Sequence, residues 1–247
     1  GAGYTITEIT IDQQGQSNVG LFGVMNGTVM NIRISAANVS GQGDFPNGIG
    51  ILAGRIGLSG EVMDTETSGS VAGSEYTGGI AGLAVGNISD SASSATISNT
   101  GGRGRLGGLV GGLGNTTGSS AYIEGSNASG AVAGGSGRRI GGIVGNQFEN
   151  TSIRTSYATG PVSGDRYTGG LVGDADGTIT DSYSTGQVSW SGKLDNTTNR
   201  DINNVALGSL VGAVGSSGRV SDSYARGDVI SEGQSDGRGI TVGGVAG

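Results

Sequence analysis

Carboxylates are the side chains of this sequence best suited to chemistry, because it contains neither His nor Cys. Without those residues the common catalytic triads, thiol chemistry and the usual zinc sites are excluded. Asp174 and Asp176 stand two positions apart after a glycine-rich segment, so in an extended backbone both side chains point the same way. Such a pair can bind Ca²⁺, or cleave a glycoside with Asp181 nearby. We favour a third interpretation, in which Asp and Gly form a tight turn.

The longest insertion, residues 189–208, is the first place to expect contact with a ligand. Insertions in a repeat array emerge on one face, which is often the face that binds. The insertion holds the only Trp of the chain, and we favour a second interpretation of Trp190, as a cover over one end of the hydrophobic core. The candidate ligand contacts are Trp190, Lys193, Asp195 and Arg200.

Arginines and Asn-x-Ser/Thr triplets supply two further kinds of candidate site. Five arginines lie just before glycine-rich segments: Arg103, Arg105, Arg138, Arg139 and Arg166. Glycine-rich loops with Arg can hold phosphate, but no GxxxxGK[ST] element accompanies them, and we predict solvated loop tips. The triplets are candidate glycosylation sites if the protein is exported. They begin at Asn26, Asn38, Asn87, Asn115, Asn127, Asn150 and Asn196.

The sequence is organised around a recurring five-residue segment, which we name the anchor. It reads GGLVG at residues 107–111 and 169–173, and GGIVG at residues 141–145. Related copies end at Gly23, Gly54, Gly82, Gly212 and Gly247. Successive anchors end 28 to 39 residues apart, and a self-similar period of this size is the signature of a repeat fold.

A second element follows each anchor. It has an aliphatic residue, a Gly seven positions later and another aliphatic residue two positions after that, as in Ile179, Gly186 and Val188. Two positions after the first aliphatic residue stand Asn31, Asp64, Asp90, Gly125, Thr155, Asp181 and Asp222, and the residues that follow them include Ser91, Ser126, Ser156, Ser182 and Ser223. Stacked repeats therefore make an Asp/Asn column beside a Ser column. Bare carboxylates about 5 Å apart repel each other, so we predict that the acidic column forms turns, with Ca²⁺ binding as the alternative.

The composition predicts an all-β protein. Gly accounts for 55 of 247 residues, and each Gly costs a helix interior about 1 kcal/mol relative to Ala. Short β-branched runs are bounded by turn residues. Stacking the repeats in parallel about 4.8 Å apart gives a parallel β-solenoid, or β-helix, of about eight coils and about 38 Å, which we expect to be right-handed. A β-propeller needs about 40 residues per blade, more than the shorter repeats provide.

Charge and hydropathy narrow the range of partners. The net charge is -7 and the pI is about 4.5, which argue against a nucleic-acid partner. No apolar run approaches the roughly 18 residues of a spanning helix, so we expect no membrane insertion. Neither terminal segment resembles a polar cap. We therefore expect residues 1–247 to be a single repeat domain that is a segment of a longer array or a unit that stacks end to end.

The repeats resemble the GLUG-motif repeat family. The resemblance rests on the anchor followed by aliphatic-x-x-Ser-Tyr-x-x-Gly-x-Val, and on YTGGIAG from Tyr76 and YTGGLVG from Tyr167. Earlier repeats depart from it by carrying Arg33, Glu66, Ala92 and Asn127 in place of the Tyr. The resemblance implies an extracellular or cell-surface module of large, often adhesin-like microbial proteins, found also in some surface proteases outside their catalytic domains.

Three functions are consistent with these features. We favour a structural and binding module of a secreted or surface adhesin or fibre, whose partners are neighbouring copies, flanking repeats, glycans, or host and matrix surfaces. The second is a subunit of a self-assembling extracellular filament. The third is a polysaccharide-degrading parallel β-helix enzyme. We expect the chain not to be an enzyme and to need no cofactor, with calcium as the one candidate.

Overall fold

The computed structural model describes residues 3–42, 47–115, 119–190, 205–231 and 240–245. These residues form 33 strands in three parallel sheets, named A, B and C here. Within the same residues no helix is long and apolar enough to cross a membrane. The all-β, parallel arrangement confirms the fold class predicted from the sequence.

The strands of each sheet pair with equivalent strands of the neighbouring coils. Sheet A contains Tyr4–Thr7, Thr10–Gln13, Thr28–Gly41, Glu61–Gly73, Asn87–Ser89, Ala92–Ser93, Thr96–Asn99, Tyr122–Glu124, Asn127–Ala128, Val132–Ala133, Ser152–Arg154, Tyr157–Ala158, Val162–Gly164, Thr178–Thr180, Tyr183–Ser184, Val188–Trp190, Arg219–Ser221, Tyr224–Ala225 and Val229–Ile230. Sheet B contains Gly48–Gly50, Tyr76–Gly78, Arg105–Gly107, Arg139–Gly141, Tyr167–Gly169, Val205–Gly208 and Ile240–Gly243. Sheet C contains Phe22–Met25, Ala53–Ile56, Ala81–Ala84, Val110–Leu113, Val144–Gln147, Val172–Ala175 and Val211–Val214.

The chain winds through sheets A, B and C in turn, so the fold is a β-solenoid. Six turns contain strands of all three sheets, and we number them coil 1 (residues 28–56), coil 2 (61–84), coil 3 (87–113), coil 4 (122–147), coil 5 (152–175) and coil 6 (178–214). Partial coils precede and follow them. The prediction of about eight coils counted those partial coils as complete. The right-handed winding stays a prediction.

Aliphatic ladders hold the coils in register. Val62, Ile88, Ile123, Ile153 and Ile179 pair successively across sheet A from coil 2 to coil 6, and each is 0% exposed. Burying an Ile side chain stabilises the folded state by about 1.5–3 kcal/mol. A one-residue slip between coils would move the ladder from the core to the surface, so these residues fix the register.

The anchor is divided between two sheets at a tight turn. In coil 3 the anchor begins at Gly107 in sheet B and ends at Gly111 in sheet C. A Cβ on Gly107 would lie 2.6 Å from the carbonyl oxygen of Ile143, and one on Gly111 would lie 2.6 Å from that of Arg105. The two backbones approach too closely for any other residue type, which explains why the anchor begins and ends with Gly.

Candidate functional site

The Asp/Asn column forms a bend in sheet A. Its seven members all have φ between 45° and 58°, in the left-handed region: Asn31, Asp64, Asp90, Gly125, Thr155, Asp181 and Asp222. Gly, Asn and Asp adopt this conformation more readily than other residues. The prediction that this column forms turns is confirmed.

The Ser column beside the bend is a continuous hydrogen-bond ladder. The backbone N–H of Ser126 in coil 4 donates to Oγ of Ser156 in coil 5 at 3.2 Å, and the N–H of Ser156 donates to Oγ of Ser182 in coil 6 at 3.2 Å. Each Oγ also donates to the carbonyl two residues earlier, as Ser156 does to Arg154 at 2.7 Å. Ser126 and Ser156 are 0% exposed, so each hydroxyl satisfies two backbone groups that water cannot reach.

The outer face of sheet A carries a mixed column that ends in stacked aromatic rings. The Tyr157 and Tyr183 ring centroids are 4.9 Å apart, and those of Tyr183 and Tyr224 are 5.0 Å apart, with the rings within 5° of parallel. The positions that precede them in the column are Arg33, Glu66, Ala92 and Asn127. A groove beside this column is lined in part by Glu66, Ala92 and Asn127. Burial, followed by the neighbouring Tyr157 and Tyr224, raises the pKa of Tyr183.

The candidate calcium residues lie where sheet C returns to sheet A. Asp174 Oδ2 accepts a hydrogen bond from Nε of Arg139 at 2.6 Å, and the Asp174 side chain is 12% exposed. Burial, followed by the charge of Asp174, raises the pKa of Asp176. Among the described residues no group of three or more Asp or Glu is arranged to hold a metal ion. The tight turn predicted for this segment is wrong for Asp174, which lies in strand Val172–Ala175 and pairs with Asn146 in sheet C. Calcium binding by this pair stays a prediction.

Trp190 is the last residue of the sheet A strand Val188–Trp190 in coil 6, and it lies against the hydrophobic core. It is 7% exposed and packs with Val188, Val205 and Leu207. Its Nε1 donates to the carbonyl of Asp165 at 3.1 Å. A ligand contact at Trp190 stays a prediction. Lys193, Asp195 and Arg200 lie outside the described residues.

The five arginines cluster on consecutive coils beside sheet B. Arg105 and Arg139 pair in register within sheet B, and their side chains are 20% and 28% exposed, so the prediction of loop tips is wrong for these two. Arg105 Nη1 lies 2.9 Å from Oε2 of Glu75, and its guanidinium lies 4.9 Å from the ring centroid of Tyr76. Tyr76 and Glu75 were not identified from the sequence. Aligning the anchors would have placed Tyr76, Arg105, Arg139 and Tyr167 in one column.

The glycosylation candidates differ in exposure. Asn26, Asn38 and Asn150 are exposed. Asn87, Asn115 and Asn127 are half-buried, and Asn87 Oδ1 accepts from the N–H of Tyr122 at 3.3 Å. Asn196 lies outside the described residues. Glycosylation at all seven stays a prediction, and the three exposed sites are the most accessible of those described.

Comparison with known proteins supports the repeat assignment. Residues 164–189 match the GLUG motif, which confirms the resemblance for that stretch. The chain is 34% identical over 84 residues to halomucin of Haloquadratum walsbyi; the match covers 33% of this chain and 1% of halomucin. A crystal structure from Bacteroides ovatus, of a protein named provisionally as an immunoglobulin A1 protease, has a TM-score of 0.57 at 23% identity and covers 100% of this chain and 68% of its own. The last likeness shows the fold alone.

Proposed function

We propose that this chain is a rigid β-solenoid module of an extracellular or cell-surface adhesin or fibre. The observation that carries the proposal is the in-register stacking of six complete coils, joined by aliphatic, backbone and hydroxyl ladders. A repeat stacked in this way resists bending because each coil is bonded to both neighbours along three sheets. Rigidity of this kind suits a segment that holds another part of a protein away from a surface.

The comparisons support an extracellular location. The GLUG motif at residues 164–189 supports it through the resemblance to a repeat family of secreted and surface-attached microbial proteins, and the 34% identity to halomucin over 84 residues adds to that support. The absence of Cys is compatible with this location. The match covers 1% of halomucin, so the activity and partners of that protein are not carried over.

Immunolabelling of the native cells tests the proposal. Antibodies against residues 1–247 are applied to intact cells and to permeabilised cells, with a cytoplasmic protein as the control for cell integrity. We expect equal labelling of both preparations, and loss of the label after brief treatment of intact cells with protease. Labelling that requires permeabilisation would contradict the proposal.

Self-assembly into filaments is the alternative that we retain. Among the described residues, strand Tyr4–Thr7 pairs with Thr28–Gly41 alone in sheet A, and Tyr4 is 71% exposed. A strand edge of this kind can accept another strand. Electron microscopy of the purified chain at high concentration distinguishes the two: filaments favour self-assembly, and separate short rods favour the module.

Polysaccharide cleavage ranks below both. Asp174 is paired with Arg139 between sheets B and C, and Asp181 shapes the bend of sheet A. Cleavage would need the carboxylates of Asp174 and Asp176 to face the substrate together. A reducing-end assay on acidic and neutral polysaccharides tests this activity directly.

A further inference from the structure

The arginine cluster forms a column that follows the axis of the solenoid. Arg103 belongs to coil 3, Arg138 to coil 4 and Arg166 to coil 5. The N–H of Arg138 donates to the carbonyl of Gly104 at 2.9 Å, and the N–H of Tyr167 donates to the carbonyl of Arg138 at 2.9 Å. These bonds and the strand register set Arg138 and Arg166 at equivalent positions of coils 4 and 5, and Arg103 lies one residue before that position in coil 3. Each of the three coils therefore carries one of these arginines.

The cluster is positive within an acidic chain. Five arginines stand in or beside the strands of sheet B in coils 3 to 5, together with the carboxylates of Glu75, Asp165 and Asp174. Glu75 is paired with Arg105 and Asp174 with Arg139. In the described part of the chain, neither Arg103 nor Arg138 shares an ion pair with a carboxylate. The local excess of positive charge contrasts with the net charge of -7.

Arg138 stands at the centre of this cluster. It is half-buried, whereas Arg103 is exposed. Burial, followed by the charges of Arg103, Arg166, Arg139 and Arg105, lowers the pKa of the Arg138 guanidinium. The cluster therefore holds like charges close together, and an anion bound across them would relieve that repulsion.

We propose that the column of Arg103, Arg138 and Arg166 binds a linear acidic polysaccharide laid along the solenoid axis. The coils repeat about every 4.8 Å, which is close to the length of one pyranose residue, so a polymer with one anionic group per sugar meets one arginine per coil. The planar guanidinium binds carboxylate and sulfate through two parallel hydrogen bonds. This inference rests on the proposed extracellular function, because such polymers occur at cell surfaces and in matrices.

The spacing of charge favours a polysaccharide over nucleic acid. Duplex DNA carries one negative charge per about 1.7 Å of its axis, which is far denser than one arginine per coil. A chain with a net charge of -7 would repel so dense a polyanion outside the column. A polymer with one charge per sugar matches the column and is repelled less.

Binding to immobilised polysaccharides tests the inference with the whole chain. The probes are polygalacturonate as the carboxylated polymer, dextran sulfate as the sulfated polymer, dextran as the neutral control, and duplex DNA. We expect binding to one or both acidic polysaccharides and none to dextran, with affinity falling as NaCl is raised from about 50 to about 300 mM because screening weakens the contacts. Comparing the two acidic polymers identifies the preferred anion.

Variants place the binding on the column. We expect R103Q/R138Q to weaken binding by about tenfold, because two charge-assisted contacts are lost and both guanidinium groups are partly solvated. The matched control is R154Q, which removes an exposed arginine of sheet A. The single variant R103Q alters an exposed side chain and keeps the test valid if the double variant does not fold.

Three results would overturn the inference: no binding to either acidic polymer, equal binding by R103Q/R138Q and the unchanged chain, or binding to duplex DNA as tight as to the polysaccharides. Each of these leaves the labelling of intact cells unaffected. Failure of this inference is therefore distinguishable from failure of the proposed function.

Discussion

Arg139 donates through Nε to Oδ2 of Asp174 at 2.6 Å, and this bond joins sheet B of coil 4 to sheet C of coil 5. The Asp174 side chain is 12% exposed, so removing its partner leaves a mostly buried carboxylate without compensation. We expect Arg139→Gln to lower the free energy of unfolding by about 1–2 kcal/mol, after allowance for the partial exposure of Arg139. Urea denaturation measures the change.

The exposed pair Arg154–Glu124 is the matched control. Both side chains are 48% exposed and the closest atoms are 3.3 Å apart, so we expect Arg154→Gln to cost at most about 0.5 kcal/mol. The double variant of Arg139→Gln with Asp174→Asn should lose less than the sum of the two single losses, because neither charge is then left alone. Equal losses of stability at Arg139 and Arg154 would show that the Arg139–Asp174 pair stabilises the fold no more than the exposed Arg154–Glu124 pair does.

Much of the fold could be predicted from the sequence because the repeats make each coil equivalent to the next. Aligning the anchors gives the Ile153 and Ile179 ladder, and the spacing of Asp181 and Ser182 gives the bend and the Ser column. The chain is locally consistent here, since Gly, Asp or Asn stands at six of the seven positions where the backbone needs a left-handed residue.

The contact between sheets B and C could not be predicted in the same way. Period-based reasoning aligns a residue with its equivalents in other coils, but Arg139 and Asp174 are not equivalent positions. Their meeting depends on the anchor turning sharply, which places sheet B of one coil against sheet C of the next. The sequence alone does not show the division of the anchor at Gly170, where a Cβ would meet the carbonyl oxygen of Ser209.

The Ser ladder predicts a loss of stability from the removal of one hydroxyl. Ser156→Ala leaves the buried N–H of Ser126 and the carbonyl of Arg154 without this partner. An unsatisfied buried polar group costs about 1–3 kcal/mol, so we expect a loss in that range, measured by thermal denaturation.

Ser156→Thr and Ser163→Ala are the controls for that loss. Thr65 stands at the equivalent position in coil 2 and donates to the carbonyl of Met63 at 3.0 Å, so Thr at position 156 should keep most of the stability. Ser163 is half-buried in sheet A and outside the ladder, and its change to Ala should lie within about 0.5 kcal/mol of zero. A loss at Ser163 equal to that at Ser156 would count against the ladder.

The second Gly of the coil 4 anchor, Gly142, should tolerate no side chain. A Cβ on Gly142 would meet the carbonyl oxygen of Gly170 and would lie 2.5 Å from Cβ of Ala158. Because this space is bounded by backbone, we expect Gly142→Ala to cost at least about 1–3 kcal/mol. Gly27→Ala is the control, since nothing lies within 4 Å of its Cβ position, and similar midpoints for the two variants in urea would refute the close-packing argument.

The bend of sheet A predicts a stabilising substitution. Thr155 is exposed and has φ of 46°, a conformation that a β-branched residue adopts only with strain. We expect Thr155→Asn to raise the free energy of unfolding by about 0.5–1 kcal/mol, because Asn tolerates this region better. Thr180→Asn, in the strand Thr178–Thr180, should give no gain, and an equal gain there would point to a cause other than the bend.

Replacing Asp176 by Asn should give a gain in stability that depends on pH. Burial and the charge of Asp174 raise the pKa of Asp176 above 3.8, so the folded state holds this proton more tightly than the unfolded state does. Ionised Asp176 therefore destabilises the fold at neutral pH. Asp176→Asn should raise the free energy of unfolding at pH 7 by about a few tenths of a kcal/mol, a small value because the group is partly solvated.

An amide is expected to fit at this position, and the pH profile separates charge from shape. Asn26 is the equivalent residue of the first partial coil, and its Oδ1 lies over Gly57 as Oδ1 of Asp176 lies over Gly215. Because a raised pKa costs stability only above the unfolded value, the gain from Asp176→Asn should shrink as the pH falls through the folded pKa and vanish below 3.8. Urea denaturation between pH 3 and pH 7 measures this, and a gain that is constant across that range would show that shape or hydrogen bonding, rather than charge, is responsible.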